Sequence, residues 1–386
     1  MSFVPEGDEV VVGRADADAY AVLPADGAAL LREMIKGVPP ERAARWYEDT
    51  FGEPVDIAEF LETLHELGFV RTEGTPEPAG GRLPLRRLGR AVFSPPAWLL
   101  YAALFALAVL AVARDPALAP RPGNIFFTDR LLVVQIGIMF GQLPLIFLHE
   151  AFHMLAGRRL GLRSRLGVSN RYLYVVFETR MNGLLSVPRA KRYLPFLAGM
   201  ACDLVVFAAL VLVADLTRQP GGAFSMTGRV ALALAFTVVV RFAWQFQLYL
   251  RTDLYYVFAT ALNCHDLHDA STALLRNRLW RLLGRTGRLV DERQWSEHDR
   301  RVGRWYGPFI GLGVTVMVLI AVFGSVPVVV QYLQIAADGV RQGPLRLAFW
   351  DGVLGLALLS VSFLLPAYLA RRKRRRPVAA TTEEVS

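Results

Sequence analysis

The sequence predicts a mostly α-helical membrane protein, in which a bundle of six spanning helices follows a small N-terminal soluble α+β domain. Three observations lead to this fold class. The 386 residues are 54% hydrophobic, with a mean hydropathy of +0.34, which is high for a soluble chain of this size. Uninterrupted apolar runs of the length that a spanning helix requires recur along the chain. Basic residues are concentrated in alternate loops between those runs.

Residues 1–75 contain no long apolar run and are therefore expected to form the soluble domain. The stretches "DEVVVGR" and "DAYAVLP" predict two short strands around a polar turn. Helical spacing of apolar residues follows in "DGAALLREMIKG", "PPERAARWYEDTFG" and "VDIAEFLETLHELGFV", and we expect "GFVRTEG" to close the domain as a strand. Residues 76–95, which are rich in Pro, Gly and Arg, are the predicted linker.

The order of two strands and three helices, with "VLPADGAALLREMIKG" and "VDIAEFLETLHELGFV", resembles the PqqD-like domain over most of residues 1–75. The resemblance implies a small winged-helix-like fold that binds the leader segment of a ribosomally made peptide and presents it to a modifying enzyme. A regulatory winged-helix module with another ligand is the alternative interpretation.

Six apolar segments are long enough to cross a bilayer, which takes about 20 residues of helix. They cover residues 96–113, 131–156, 194–216, 228–262, 305–335 and 345–370. The fourth and fifth are too long for one straight span, so part of each is expected to break or to leave the hydrocarbon. The membrane domain is therefore predicted at residues 96–370, followed by a basic tail at residues 371–386.

The charge distribution predicts the orientation of this bundle. Arginines and lysines cluster before the first segment, between the second and third, between the fourth and fifth, and in the tail. The positive-inside rule then places both termini and both basic loops in the cytoplasm. Because topology already explains the net charge of +9, no nucleic-acid partner is expected. The partners that the sequence predicts are the lipid bilayer and a peptide.

The stretch "IFLHEAFHMLAG", residues 146–157, places three ionisable side chains inside an apolar segment. His149, Glu150 and His153 fit the pattern H-E-x-x-H, in which two histidines four residues apart on a helix can reach one metal ion. Glu150 then lies beside the metal, where it can act as general base toward water. The alternative is a buried histidine pair satisfied by carbonyl groups. It is disfavoured because a charged residue at mid-membrane costs about 2.5–3.5 kcal/mol.

A zinc site of this kind usually takes a third protein ligand. The candidates are Glu178, Asp203, Asp253 and the pair His265 and His268. Expected depth in the membrane favours the two aspartates and does not separate them. The stretch "NCHDLHD" is expected to have a surface or interfacial role, and not to form a second metal site.

Residues 130–270 resemble the site-2 protease family of intramembrane zinc metalloproteases, in its bacterial peptide-processing branch. The three motifs of that family stand here as "HEAFHMLAGRRLGL", "LAGMACDLV" and "QFQLYLRTDLYYVFATALNCHDL". The resemblance implies that His149, His153 and Asp253 bind Zn²⁺ and that Glu150 is the general base. It also implies a multi-pass protein of the bacterial cytoplasmic membrane.

Several positions depart from the family's motifs. Asp203 stands where the family has asparagine, Met200 where it has proline, and Leu254 where a glycine follows the aspartate. Gln245 and Leu248 stand near the asparagine and proline of the third motif. Since these positions shape the approach of the substrate strand, the departures bear on substrate geometry more than on metal binding.

The resemblance also implies that Asp203 lies close to the site but outside the direct metal ligands. Arg241 has two interpretations. Arg241 lies within the fourth apolar segment. It either pairs with an acidic group such as Asp203 or contacts a substrate carboxylate or the tetrahedral oxyanion of the reaction.

The sequence thus favours a membrane zinc metalloendopeptidase that cleaves a ribosomally made precursor peptide captured by the N-terminal domain. The basic loop "RYLYVVFETRMNGLLSV" alternates like a strand over part of its length, so its edge is expected to pair with the substrate. Two alternatives remain: a non-proteolytic zinc-binding scaffold or immunity protein, and a protease that releases a membrane-bound regulator.

Overall fold

The computed structural model is mostly helical and begins with a small antiparallel sheet. It describes residues 1–7, 9–14, 19–70, 84–171, 174–184, 187–264 and 266–375. The chain divides into two compact units. The first comprises Met1–Phe93, Met154–Arg165 and Thr179–Pro195, and the second comprises Ser94–His153, Leu166–Glu178 and Phe196–Ser386.

The sheet of the first unit has three strands, β1 (Ser2–Glu6), β2 (Glu9–Arg14) and β3 (Ala19–Pro24), in the order β1-β2-β3. Both pairs are antiparallel. Strands β2 and β3 confirm the two predicted strands, whereas β1 was not predicted. Its sequence, "SFVPE", contains a proline, which weakens a strand signal but is tolerated in an edge strand.

The three predicted helices of this unit are confirmed as α1 (Ala25–Ile35), α2 (Pro40–Phe51) and α3 (Ile57–Glu66). Valines of β2 pack with Leu31 of α1 and Leu64 of α3 in one buried cluster. The segment 68–70 is not a strand. Residues 71–83, which hold the rest of the expected closing strand and part of the predicted linker, lie outside the described residues.

Within the part of the chain that the structure describes, five helices are long and apolar enough to cross a membrane. A short helix, α4 (Arg86–Val92), precedes them. The five are α5 (Pro95–Arg114), α6 (Leu131–Arg159), α7 (Arg189–Leu216), α8 (Met226–Trp244) and the continuous helix Glu297–Arg341. This agrees with a multi-pass membrane protein. In the sixth predicted segment lies α13 (Leu347–Arg375), whose described apolar part, Leu347–Val361, is shorter. The count of six spans therefore stays a prediction.

The fourth predicted segment is broken, as expected. Helix α8 ends at Trp244, and the chain resumes as α9 (Asp253–Ala261) and α10 (Leu267–Leu282). The loop between α8 and α9 includes Arg251 in the left-handed conformation, with a φ of 54°. The fifth segment is helical throughout: α11 (Glu297–Ile320) continues through a π-helical turn, Ala321–Ser325, into α12 (Val326–Arg341).

Strands β4 (Arg163–Arg171) and β5 (Tyr174–Asn182) form a second, two-stranded sheet between α6 and α7 in the chain. The basic loop predicted to contain a strand therefore does contain one. Residues 376–386, most of the predicted basic tail, lie outside the described residues.

Small residues let three helices of the second unit approach closely. Alanines of α5, α7 and α8 share one buried cluster with Leu118, Val211 and Leu232. Close packing of this kind is usual between membrane helices, where small side chains allow backbones to meet. This packing fixes α7 against α8. The two helices carry Asp203 and Arg241, respectively.

Candidate metal centre

The two histidines of the H-E-x-x-H pattern lie on one face of α6. The Nε2 atoms of His149 and His153 are 3.2 Å apart, and both side chains are buried. The four-residue spacing brings the rings together, because it is close to one helical turn. The two Nε2 atoms therefore converge on one point, as binding of one metal ion by both residues would require.

Asp253, the first residue of α9, completes a triangle with these nitrogens. Its Oδ2 lies 3.3 Å from Nε2 of His149 and 3.2 Å from Nε2 of His153. Zinc bonds of about 2.0–2.1 Å at the tetrahedral angle would place ligand atoms about 3.3 Å apart. The three edges of the triangle match that separation, so two imidazoles and one carboxylate fit a tetrahedral zinc site with a fourth position left for water.

Proton sharing alone satisfies this triangle poorly. Two buried Nε2 atoms and one carboxylate oxygen face one another, and each neutral imidazole can place one proton on one of its two nitrogens. Two imidazolium groups whose nitrogens are 3.2 Å apart would repel each other. A divalent cation satisfies all three donor atoms at once, which favours a metal site.

Glu150 lies beside the histidine pair. Its carboxylate and one ring nitrogen of each histidine all lie within 4.8 Å of one another, and all three side chains are buried. The structure therefore brings together two overlapping sets: the histidines with Asp253, and the histidines with Glu150. Glu150 therefore lies in the immediate surroundings of the triangle.

The second predicted aspartate lies on the other side of the His149 ring. The Oδ1 atom of Asp203, on α7, is 3.1 Å from Nδ1 of His149, outside the angular range of a good hydrogen bond. Its carboxylate is fully buried, with 0% of its side chain exposed. Asp203 faces Nδ1 of His149, and Asp253 faces Nε2 of the same ring. The structure thus distinguishes the two aspartates, which the expected depth in the membrane did not.

Arg241, in the last turn of α8, pairs with Asp203. Its Nε donates to Oδ1 and Oδ2 of Asp203 at 3.1 and 3.2 Å, and its Nη2 also donates to Oδ1. This geometry agrees with the first of the two interpretations of Arg241, an ion pair with an acidic group. Arg241, Asp203 and His149 thus form a continuous series of contacts across α8, α7 and α6.

Sequence reasoning missed the role of Gly199, which lies one helical turn before Asp203 on α7. A Cβ at Gly199 would overlap the Nε2 atoms of both His149 and His153. Glycine therefore keeps open the space where the imidazoles converge. The glycine of "LAGMACDLV", four residues before the aspartate, was the available signal.

Gln245, which stands near the asparagine position of the third motif, contacts the loop that presents Asp253. Its buried Oε1 accepts from the backbone N of Asp253 at 3.1 Å, and its backbone carbonyl accepts from the Thr252 hydroxyl at 2.7 Å. Thr252 is the residue before α9 and makes no side-chain cap. Gln245 therefore supplies the cap, and so fixes the backbone of the expected third ligand.

Of the remaining candidates, the structure describes the side chain of His268, which is not part of the triangle. His268 lies on α10, where its backbone N donates to the Tyr255 hydroxyl at 3.1 Å, and burial lowers the pKa of its imidazole. Residue His265 and the side chain of Glu178 lie outside the described part of the chain. Met200 and Leu248 are buried.

Comparisons with known proteins add no family name, since no protein-family model, no curated protein and no solved structure matches the chain. The functional interpretation therefore depends on the geometry of these side chains.

Proposed function

We propose that the protein is a membrane zinc metalloendopeptidase of the site-2 protease type, which cleaves a peptide at or within the bilayer. The observation that carries the proposal is the triangle of Nε2, Nε2 and Oδ2 atoms of His149, His153 and Asp253, with edges of 3.2–3.3 Å. These three residues would hold the zinc ion. Imidazole and carboxylate ligands suit zinc well, and three protein ligands with a fourth open position are typical of catalytic sites.

The chemistry needs a metal and a proton carrier. When bound, zinc supplies Lewis acidity that polarises a carbonyl group and lowers the pKa of water. Glu150 accepts a proton from the attacking water and transfers it to the nitrogen of the leaving amine. One water molecule is thus added across one peptide bond, and Glu150 returns to its starting state.

The second sheet offers a way to bind an extended peptide. A peptide in lipid must have its backbone groups paired, because each unpaired group costs several kcal/mol there. Strands β4 and β5 form a two-stranded sheet, which has outer edges that an extended substrate can join. We propose that the substrate adds to this sheet as a further strand.

The N-terminal domain would supply the substrate. We propose that its three strands and three helices form a winged-helix-like, PqqD-like domain that captures the leader segment of a ribosomally made precursor. In the same proposal the chain spans the bacterial cytoplasmic membrane six times with both termini in the cytoplasm, as the distribution of basic loops favours. The cleaved bond would then face the cytoplasmic side.

The direct test is peptide cleavage by the purified full-length chain in detergent. Wild type loaded with zinc is incubated with a library of quenched fluorescent peptides with apolar cores, beside Glu150→Gln. Asp338→Asn, an exposed carboxylate paired with Arg341, serves as the matched control. We expect cleavage by wild type and control, and a loss of about 10²–10⁴-fold in Glu150→Gln.

Zinc content is measured on the same samples, because it separates the candidate functions. Equal zinc in wild type and Glu150→Gln, with cleavage only by wild type, supports the protease. Cleavage that survives in Glu150→Gln contradicts it. Stoichiometric zinc without any cleavage by wild type favours the non-proteolytic scaffold instead.

A further inference from the structure

The contacts of Asp203 reach beyond the metal ligands and the general base. Its carboxylate, 0% exposed, lies between Nδ1 of His149 at 3.1 Å and the guanidinium of Arg241. Three helices meet at this point, with one of the three side chains on each. A buried carboxylate of this kind is stable only when it is well paired.

The position of Asp203 favours one tautomer of His149. A neutral imidazole has one N–H, and a metal on Nε2 requires that proton to be on Nδ1. An acceptor beside Nδ1 selects that tautomer and holds the plane of the ring. Asp203 Oδ1 is such an acceptor. It lies 3.1 Å from Nδ1, which is within hydrogen-bond distance.

Arg241 keeps Asp203 in that orientation. The guanidinium donates to both carboxylate oxygens, with Nε at 3.1 and 3.2 Å. Two-point pairing of this kind fixes the rotamer of the carboxylate as well as neutralising its charge. Without it, the carboxylate could turn away from His149.

Helix α7 presents two positions of one face to the same imidazole. Gly199 lies against Nε2 and Asp203, one turn later, lies against Nδ1. One helix therefore both keeps the metal position open and orients the ring that supplies the ligand. A shift of α7 would disturb both functions together.

We propose that Asp203 and Arg241 act as a coupled positioning pair, which holds His149 in the tautomer and orientation needed to bind a metal through Nε2. The inference deepens the proposed function and depends on the metal site, but not on peptide cleavage. Asp203 touches His149 and not the reacting atoms. Arg241 acts through Asp203.

The test measures Co²⁺ binding to the purified full-length chain, by affinity and by the ligand-field absorption of the bound ion. The variants are Asp203→Asn, Arg241→Gln and the double variant. We expect each single variant to lose about 10–100-fold in Co²⁺ affinity and to change the absorption spectrum. Because Arg241 acts only through Asp203, replacing Arg241 should cost little once Asp203 has been replaced. We therefore expect the double variant to lose about as much affinity as Asp203→Asn alone, and much less than the product of the two single losses.

An ion pair away from the site provides the matched control. Arg218 pairs with Asp115 and Asp215 in the same unit. The double variant Asp115→Asn, Arg218→Gln should bind Co²⁺ as wild type does. Circular dichroism and thermal unfolding of every variant show whether a loss of affinity is only a loss of fold. If a single variant does not fold, the double variant, in which both partners are neutral, is compared directly with wild type.

Two results would overturn the inference. One is wild-type Co²⁺ affinity and spectrum in folded Asp203→Asn or in the folded double variant, and the other is single losses that simply multiply in the double variant. Either result leaves the protease proposal standing, since that depends on cleavage and Glu150. Conversely, the double variant could show the expected non-additive loss of Co²⁺ affinity while wild type cleaves no peptide. That result would contradict the protease proposal and support the inference about Asp203 and Arg241.

Discussion

Gly199 lies so close to His153 that a Cβ at this position would overlap Nε2 of the imidazole. The same Cβ would overlap Nε2 of His149, so no side chain fits where the two rings converge. This contact joins α7 to the histidines of α6 and leads to the first prediction.

Gly199→Ala should lose metal affinity without losing any ligand. Forcing a methyl group into a well-packed site costs about 1–3 kcal/mol, which corresponds to roughly 10–100-fold in affinity if the histidines move apart to accommodate it. The measurement is zinc affinity by competition with a chromophoric chelator. Gly311→Ala is the control, since a Cβ there meets nothing within 4 Å. Equal affinity in Gly199→Ala and wild type would show that the site lies elsewhere.

Gln245→Leu should weaken the metal site through the backbone of Asp253. In wild type the backbone N of Asp253 donates to Oε1 of Gln245 at 3.1 Å, and the substitution removes this acceptor. One such hydrogen bond contributes about 1 kcal/mol, so we expect a loss of about fivefold in zinc affinity. Gln245→Glu retains an acceptor at a helix N-terminus and should recover much of the loss. Equal losses of zinc affinity in Gln245→Leu and Gln245→Glu would show that the hydrogen bond to the Asp253 backbone does not support the metal site.

Asp351→Ala should destabilise the helix that carries the histidines. Asp351, on α13, accepts from the backbone N of Leu131 at 2.7 Å and of Leu132 at 3.1 Å, and so caps α6 from another helix. Loss of a cap costs about 0.5–2 kcal/mol. Thermal unfolding in detergent and hydrogen exchange at the start of α6 are the measurements. Asp338→Asn, which removes an exposed ion pair with Arg341, should change stability by less than about 0.5 kcal/mol. An equal effect of the two substitutions would argue against the cap.

Tyr47→Phe should destabilise the first unit in a pH-dependent way. The Tyr47 hydroxyl donates to Asp26 at 2.5 Å; this hydrogen bond lowers the pKa of Asp26 and raises the pKa of Tyr47 to about 12. Because the folded pKa of Asp26 is lowered, its contribution to stability is present at neutral pH and is lost as pH falls below about 4. Since Asp26 is partly exposed, we expect only about 0.5–1 kcal/mol at pH 7.

Hydrogen exchange of β2 and α1 amides in the full-length chain, at pH 7 and at pH 3, checks this prediction. The difference between Tyr47→Phe and wild type should shrink at the lower pH. Thr50→Val, which removes a hydroxyl bonded to the carbonyl of Trp46 at 2.7 Å, should show no such pH dependence. A difference for Tyr47→Phe that is constant with pH would mean that packing, and not Asp26, is responsible.

The sequence predicts local features of this protein better than contacts between helices. His149 and His153 are four residues apart, so helical periodicity alone brings them together. The depth in the membrane that the sequence predicts does not separate Asp203 from Asp253, because depth carries no information about which side of the His149 ring each aspartate faces. That distinction depends on how α7 and α9 pack around α6.

Gly199 and Gln245 show the same limit. Gly199 matters because of a close approach between two helices, and Gln245 because its side chain reaches a backbone group eight residues later. Neither contact leaves a periodic pattern in the sequence. At the N-terminus, strands β2 and β3 were predicted from their apolar residues. The edge strand β1 was not predicted, because its proline weakens the strand pattern.

The most direct measurement is metal analysis of the purified full-length chain, for wild type beside Asp253→Ala and Asp203→Ala. The account predicts one equivalent of zinc in wild type, little or none in Asp253→Ala after dialysis, and weaker but measurable binding in Asp203→Ala. Full zinc content in Asp253→Ala with loss in Asp203→Ala, or no zinc in folded wild type, would contradict a site formed by His149, His153 and Asp253.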